Sequence, residues 1–256
     1  MNEIKTRRPR RSKADIESAI LKAAIAQIKK KGFSMALVTD IVKRAKIEPI
    51  VFYNRYKNLD EFYDTFVKRY DYWISDLVRG INGTLMTEDG YKTALEGLFR
   101  ELLTDSIMAE LIRWEIAEGT PTTERTARLR EIDASGIVTK YERLFEDCEI
   151  DAVALSALVI AGIYFIVLHK DRSTFAGIDI NTPEGEQRIS DALHKFANML
   201  FREKEMQDKR NKLAECLRQE GLSDEAVARC LEKISYRDEE GAPPRGEIGP
   251  GGGLRT

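Results

Sequence analysis

Residues 39–57, TDIVKRAKIEPIVFYNRYK, limit the fold of this chain more than any other segment. Apolar residues recur in them at the three- and four-residue spacings of amphipathic helices, with a break between two groups. The first group consists of Ile41, Val42 and Ala45, and after the break come Ile47, Val51, Phe52 and Tyr56. The segment therefore predicts two short helices joined by a tight turn, each resting one side on a core.

The outer side of the second predicted helix has a different composition. It carries Pro49, Ile50, Tyr53, Asn54 and Lys57. A helix that reads the major groove of DNA packs one side on a support and offers the other to base edges and phosphates. Because apolar, aromatic, amide and cationic side chains suit that outer side, the pair of helices predicts a helix-turn-helix.

Three pieces of sequence carry a resemblance to a known family. They are ILKAAIAQIKKKGF at residues 20–33, DIVKRAKI at residues 40–47 and FYNRYKNLDEF at residues 52–62. In these pieces, about the first quarter of the chain, the protein resembles the tetracycline-repressor-like (TetR) transcription regulators. The resemblance implies an all-α protein with an N-terminal three-helix DNA-binding unit and a larger helical body for ligand binding and dimerisation. It also implies a homodimer that binds a palindromic DNA operator and releases it when a small-molecule effector occupies the body.

Three positions depart from the family pattern. Lys46 stands where a turn glycine is usual, Val42 where a small alanine is usual, and Glu48 where a serine or threonine opens the reading helix. Lys46 costs about 1 kcal/mol relative to glycine if the turn needs a positive φ. Glu48 brings a negative charge near the duplex, although a carboxylate can accept a hydrogen bond from the amino group of cytosine. The predicted DNA-binding residues are Arg8, Arg10, Arg11, Thr39, Lys46, Glu48, Pro49, Ile50, Tyr53, Asn54 and Lys57.

The net charge of −2 hides a split between the two parts of the chain. Residues 1–57 contain 15 lysines and arginines against 5 aspartates and glutamates, a net of +10, and the remainder carries −12. A basic unit on an acidic body is typical of a protein that binds a polyanion, although a solvated charged surface gives the same count. Residues 1–11 predict a flexible basic arm.

The rest of the chain predicts further helices and no convincing strand. We expect a basic arm and helix-turn-helix domain at 1–57, a helical ligand-binding and dimerisation domain at 58–206, a C-terminal helical hairpin at 207–235, and a disordered glycine- and proline-rich tail at 236–256. Caps, glycines and apolar periodicity place the helices at Ser12 to Gly32, Asn58 to Gly80, Tyr91 to Leu103, Ile107 to Ala117, Thr123 to Phe145, Asp151 to Lys170, Pro183 to Met206 and on to Gly221, and Ser223 to about Ile234.

The longest run without a charged residue, Ala152 to Leu168, has 17 residues, which is borderline for crossing a bilayer. It contains Ser156 and Gly162 and is the only such run, so a helix buried on all sides is the preferred interpretation and no membrane is predicted. One neighbouring stripe from the same chain is too narrow to cover it. We therefore predict that Asp151 to Lys170 and Pro183 to Met206 of two subunits pack as a four-helix bundle in a homodimer.

The three cysteines, Cys148, Cys216 and Cys230, are an odd number without metal-binding spacing. They fit a reducing cytoplasm better than a disulfide framework. The charged N-terminal residues are not followed by the apolar segment of a secretory signal. A cytoplasmic location is therefore expected.

Sequence motifs for catalysis, metal binding and nucleotide binding are missing: there is no HExxH, CxxC pair, P-loop or GxGxxG. The two histidines are interpreted as a partner of a helix C-terminal dipole (His169) and as part of a surface cluster (His194). We therefore predict a protein that is not an enzyme and that needs no cofactor or metal.

A small-molecule cavity in the body follows from the family resemblance. Aromatic walls with polar groups suit such cavities. The candidate lining residues are Trp73, Tyr91, Phe99, Arg113, Trp114, Tyr141 and Tyr164, and any one of the aromatic residues is equally explained as part of the core. Two alternatives to a ligand-responsive DNA-binding regulator stay open: a degenerate TetR-like dimer that binds ligand or protein but no specific DNA, and an all-α enzyme.

Overall fold

The structure is a computed structural model that describes residues 11–68 and 84–240, with side chains described as far as Lys233. Apart from one isolated β-bridge between Phe175 and Ile178, the secondary structure of these residues is helical, as predicted. Contacts divide the chain into two compact units, residues 1–201 and 202–256. Buried apolar side chains from the helices of the first unit form one contiguous core.

Ten α-helices and one short 3-10 helix make up the described residues. In chain order they are α1 (Lys13–Lys31), α2 (Val38–Ala45), α3 (Pro49–Tyr53), α4 (Leu59–Val67), the 3-10 helix (Thr84–Met86), α5 (Glu88–Thr104), α6 (Ser106–Ala117), α7 (Pro121–Leu144), α8 (Ala152–His169), α9 (Pro183–Gln219) and α10 (Asp224–Glu240). Helix α6 has a central place, because it contacts α1, α5, α7 and α8.

Local signals in the sequence fix both ends of α1. Ser12 and Asp15 form a reciprocal capping box, in which each side chain accepts a hydrogen bond from the backbone N–H of the other residue. At the other end Gly32 adopts a φ of 78°, which favours glycine, and its N–H donates to the carbonyl oxygen of Ile28. The predicted start and end of this helix are confirmed.

The turn between α2 and α3 uses a left-handed residue. Lys46 has φ 55° and ψ 52°, and its N–H and that of Ile47 return to the carbonyl oxygens of Lys43 and Val42. The positive φ considered from the sequence is therefore present, although the residue has a Cβ atom. Val42 is 5% exposed, so the core between the first helices accommodates its extra methyl groups.

Replacing Lys46 with glycine is expected to raise the free energy of unfolding, because glycine adopts this backbone conformation without the steric penalty of a Cβ atom. The gain should be about 1 kcal/mol or less, since glycine also increases the entropy of the unfolded chain. Urea unfolding of the two proteins measures it. A lower stability of the glycine variant would contradict a strained turn.

Helix α4 starts where the sequence predicts. The Asn58 side chain accepts from the N–H of Glu61 at 2.9 Å, and the Glu61 carboxylate accepts from the N–H of Lys57 at 2.6 Å rather than from that of Asn58. One of the two hydrogen bonds of the predicted capping box therefore forms with the residue before the N-cap. The predicted continuation towards Gly80 lies outside the described residues.

Helix boundaries in the body differ from the predicted ones in two informative ways. Helix α7 begins at Pro121, two residues before the predicted start at Thr123, and Thr120 caps it through the N–H of Thr123. Helix α10 continues to Glu240, past the predicted end near Ile234 and into the predicted tail. The rest of that tail, residues 241–256, lies outside the described part.

Helix α8 departs most from its predicted environment. Ala152, Ile163 and Val167 are buried, whereas Leu158 is 70% exposed and Phe165 50% exposed. The prediction of burial on all sides is wrong within a single chain, because its neighbours cover only one side. Among the described helices it is also the one long and apolar enough to cross a membrane, with a mean hydropathy of 2.3.

The second unit consists of the end of α9 and helix α10, which form a helical hairpin. Gly221 has a φ of 87° at the turn, and the Arg218 guanidinium pairs with Asp224 across it at 2.8 Å. Ala214 and Val227 are its buried apolar residues in the described part.

Candidate DNA interface and its junction with the body

The two sides of α3 differ as the sequence predicts. Phe52 is completely buried, and Val51 and Tyr56 are half-buried. The predicted outer residues Pro49, Ile50, Tyr53, Asn54 and Lys57 are all exposed, with Ile50 at 63% and Tyr53 at 51%. Helix α3 ends at Tyr53, however, so the prediction that Asn54, Tyr56 and Lys57 belong to the same helix is wrong, and these residues lie in the segment between α3 and α4.

An aromatic cluster supports α3 from below. The ring of Phe52 lies 5.2 Å from that of Tyr56 and 5.6 Å from that of Phe62 at the start of α4. The Arg55 guanidinium donates to the carbonyl oxygen of Val51 at 2.8 Å, which satisfies one acceptor of this short helix. Since aromatic pairs of this kind stabilise beyond their buried area, they hold a five-residue helix that would not persist alone.

The other predicted DNA-binding residues lie around α3. Thr39 on α2, Lys46 in the turn and Glu48 before α3 are exposed. Arg11 is exposed too, but its guanidinium donates to the Ala45 carbonyl oxygen at 3.0 Å, so part of it binds the end of α2. Arg8 and Arg10 lie outside the described residues.

Two exposed apolar residues of this unit were not singled out in the sequence. Met35 is 64% exposed, and Leu37, which precedes α2 and makes no side-chain cap, is 53% exposed. A serine, threonine or aspartate is usual at such an N-cap position. The leucine at this cap position is the feature of the sequence that could have marked Leu37 for a role other than helix capping.

Stacked aromatic rings join the N-terminal helices α1–α4 to the body. The ring of Phe33, in the corner between α1 and α2, lies flat on Trp114 of α6, with centroids 4.8 Å apart and planes at 8°. Tyr63 of α4 packs its edge on the same indole at 5.5 Å. Its hydroxyl donates towards the carbonyl oxygens of Phe33 and Ala36 at 2.9 and 2.8 Å, and burial raises the pKa of Tyr63.

Polar contacts reinforce this junction. Glu118, at the end of α6, accepts hydrogen bonds from the Ser34 hydroxyl and from the Trp114 indole N–H, the latter at 3.0 Å. A second link is an ion pair between Asp64 of α4 and Arg125 of α7. Phe33, Glu118 and Arg125 were not predicted from the sequence as junction residues, because each contact joins segments far apart in the chain.

The predicted ligand-binding residues do not come together around one cavity. Trp114 belongs to the junction and Phe99 is 1% exposed in the core. The ring centroids of Tyr91 and Tyr141 lie 5.5 Å apart. The Tyr91 hydroxyl forms a hydrogen bond with the Ser156 hydroxyl, and the Tyr141 hydroxyl donates to the Leu85 carbonyl oxygen. Trp73 lies outside the described residues. The assignment of all seven residues to a ligand site therefore stays a prediction.

Two open cavities lie at other places on the body. One of ≈420 Å³, at the corner between α7 and α8, is lined by Tyr141 and Phe145 together with four exposed carboxylates: Glu142, Glu146, Glu149 and Asp151. Another of ≈240 Å³ follows the outer side of α7 around Arg125 and Leu129. Of the predicted ligand set, Tyr141 lines the first cavity and none lines the second.

Charged side chains tie the helices of the body together. Glu115 of α6 and Arg130 of α7 form a largely buried pair, and burial raises the pKa of the Glu115 carboxyl while Arg130 opposes this shift. The hydroxyl of Tyr164 on α8 bonds to the same arginine. Arg113 reaches the Leu168 carbonyl oxygen near the end of α8 at 3.0 Å. Helix α6 therefore contacts α8 on one side and the corner between α1 and α2 on the other.

Solved structures share this arrangement of helices. A fatty acid degradation regulator, FadR, from Bacillus halodurans superposes with a TM-score of 0.51 at 16% identity, over 71% of this chain and 97% of its own. A TetR family transcription regulator from Marinobacter aquaeolei gives 0.50 at 18%, over 70% and 95%. A protein assigned to the TetR family from Mesorhizobium loti gives 0.52 at 16%, over 75% and 98%.

This chain has the fold of the TetR-family transcription regulators. The resemblance based on residues 20–62 is thereby confirmed at the level of the fold. Comparison of the sequence alone finds no matching family profile and no matching curated protein. The TetR-like part covers nearly all of each solved structure but only 70–75% of this chain, so about a quarter of the chain is additional to those structures.

Proposed function

We propose that the protein is a homodimeric transcription regulator that binds a palindromic DNA operator and releases it when a small molecule binds the body. The observation that carries the proposal is α3, a short helix with an exposed outer side of mixed chemistry and a fully buried Phe52 beneath it. In a helix-turn-helix the second helix presents such a side to the major groove.

Charge supports DNA as the partner of this surface. The unit that contains α3 has a net charge of +10, against −12 for the remainder of the chain. Lys46 and Lys57 are exposed beside the outer side of α3. Such a distribution attracts the phosphate backbone of DNA to one end of the protein and turns the acidic body away from it.

Dimerisation is supported by the exposed apolar side of α8. Leu158 and Phe165 on this helix and Met199 on α9, which is 66% exposed, are large apolar side chains open to solvent in the single chain. Apolar side chains on one helix side are removed from water when a second copy covers them, and a twofold axis pairs identical sides. We propose α8 and residues 183–206 of α9 as that interface.

The effector would act through the contacts that join the body to the DNA-binding unit. Helix α6 bonds to the end of α8 through Arg113 and holds the α1–α2 corner through Trp114 and Glu118. A ligand shifts an equilibrium only if its affinity differs between the two arrangements. The expected arrangements differ in the separation of the two α3 helices, which must match half-sites about 34–36 Å apart or a multiple of this.

Replacing Tyr53 or Lys57 with alanine is expected to weaken binding to all DNA sequences, because both side chains are exposed and placed for phosphates. Loss of Lys57 should also reduce the salt dependence of the binding constant by about one counterion per site. Binding titrations at several salt concentrations measure both effects. Lys22→Ala, which removes an exposed lysine from α1, is the control for general effects of substitution in this unit.

The direct test of the proposed function is selection from a library of random DNA duplexes with the purified protein. We expect a palindromic site to be enriched and its binding to weaken steeply with salt. The exposed apolar residues Met35, Leu37 and Ile50 and the acidic Glu48 are the observations that favour a TetR-like dimer without specific DNA binding. A library from which no palindrome is enriched would support that alternative and overturn the proposal.

A further inference from the structure

Glu48 has an unused carboxylate at the edge of the candidate DNA interface. Its backbone is extended, with φ −74° and ψ 145°, and its side chain makes no capping hydrogen bond to α3. Within residues 11–68 and 84–240 no hydrogen bond or ion pair engages this carboxylate. The side chain is exposed and therefore free to meet a partner from outside the protein.

Ile50 lies two residues further along the same exposed side. Its side chain is 63% exposed, although isoleucine is among the residue types most often buried. The residue is held firmly by the backbone, because its carbonyl oxygen accepts from the N–H of Asn54 at 2.9 Å. The carboxylate favours a hydrogen-bond donor, and the apolar side chain beside it favours an apolar group.

The chemistry of the major groove meets these preferences at different bases. Guanine presents two acceptors there and thymine presents one acceptor and a methyl group, whereas cytosine presents an amino donor. A carboxylate only accepts hydrogen bonds, so it is repelled by guanine N7 and O6 and by thymine O4. Adenine offers an amino group with an acceptor beside it, which leaves cytosine as the best partner.

We propose that Glu48 and Ile50 determine operator specificity: Glu48 accepts from the amino group of a cytosine, and Ile50 packs on the methyl group of a thymine, in each half-site. This inference rests on the proposed function. Residues at the start of a recognition helix reach base edges, so both side chains are in the part of the helix-turn-helix that reads sequence. Glu48 cannot bind a phosphate, because both groups are negatively charged. Without an amino group as partner, the carboxylate would lose its hydration at the duplex and gain no hydrogen bond in return.

Replacing the carboxylate of Glu48 with an amide gives the sharpest test. Selection from the random library is carried out with the wild type and with Glu48→Gln, and the enriched sites are compared. Glutamine has a donor and an acceptor that match N7 and N6 of adenine. We expect one position in each half-site to change its preference from cytosine to adenine by about tenfold, with the rest of the site unchanged.

Glu142→Gln is the control, because it removes the same charge from an exposed position on α7. It should raise affinity for all sequences slightly and leave every base preference unchanged. Circular dichroism of both variants confirms that the helices are intact. Since the Glu48 side chain has no partner in the described part of the chain, its exchange should not alter the melting temperature.

The methyl contact is tested on the DNA. Replacing the thymine of the selected site with deoxyuridine removes only the methyl group and should weaken wild-type binding about three- to fourfold. The same replacement should have no effect on Ile50→Ala, which has already lost the contact.

The outcomes separate the inference from the proposed function. Absence of any palindrome with the wild type overturns the proposed function. A palindrome that is selected unchanged by Glu48→Gln, or a deoxyuridine effect equal in wild type and Ile50→Ala, overturns the assignment of that residue while DNA binding stands.

Discussion

Replacing Leu158 with glutamate is expected to convert the proposed dimer into a monomer or an aggregate at micromolar concentration. Leu158 is 70% exposed on α8 in the single chain, so the change leaves the core of the subunit intact. At the centre of a twofold interface it would place two like charges in apolar surroundings, and buried charges without partners are strongly destabilising. Sedimentation equilibrium measures the change in association state.

Loss of the dimer should also reduce operator affinity by about 100-fold or more, because the second half-site is then no longer bound within one complex. Phe165→Glu, at 50% exposure on the same helix, should act in the same direction. Ile132→Glu on α7 is the matched control, since it places the same charge at a residue that is 60% exposed away from α8 and α9. A wild-type protein that sediments as a monomer, or a Leu158→Glu protein that remains a dimer, would contradict the interface.

Replacing Trp114 with alanine is expected to lower the free energy of unfolding by about 3–5 kcal/mol, because it removes a buried indole and leaves a cavity. The indole is 7% exposed and packs on Phe33 and Tyr63, so this loss falls on the contact between the body and the DNA-binding unit. Thermal unfolding should show a melting temperature lower by roughly 6–20 °C. DNA affinity should fall as well, while the protein remains a dimer.

Trp114→Phe separates packing from hydrogen bonding at this junction. It keeps a ring for Phe33 but loses the N–H that donates to Glu118, so a loss of about 1 kcal/mol is expected. Glu118→Gln tests the same network from its acceptor side, since one oxygen must then serve both Ser34 and Trp114. Equal melting temperatures for wild type and Trp114→Ala would show that the stacked rings do not stabilise the junction.

The local architecture of the N-terminal helices follows directly from the amino-acid sequence. Ser12 and Gly32 bound α1, and the spacing of Ile41, Val42, Phe52 and their neighbours separates the buried from the exposed sides of α2 and α3. These features follow from caps, backbone conformation and helical periodicity, which act over a few residues and are therefore readable from the order of amino acids. A positive φ at Lys46 was considered from the sequence only as a condition for a cost at the turn, and the structure shows that it is present.

Contacts between residues that are far apart in the chain depend instead on how the helices pack. Ser34 and Glu118 are 84 residues apart in sequence, and no local pattern indicates that they bond. Trp114 was predicted to line a ligand cavity but lies on Phe33, and Leu158 was predicted to be buried but faces solvent in the single chain. An apolar residue in a helix indicates that something covers it. Whether the cover is another helix, a ligand or a second subunit depends on how the helices pack, because burial is non-directional and does not specify its partner.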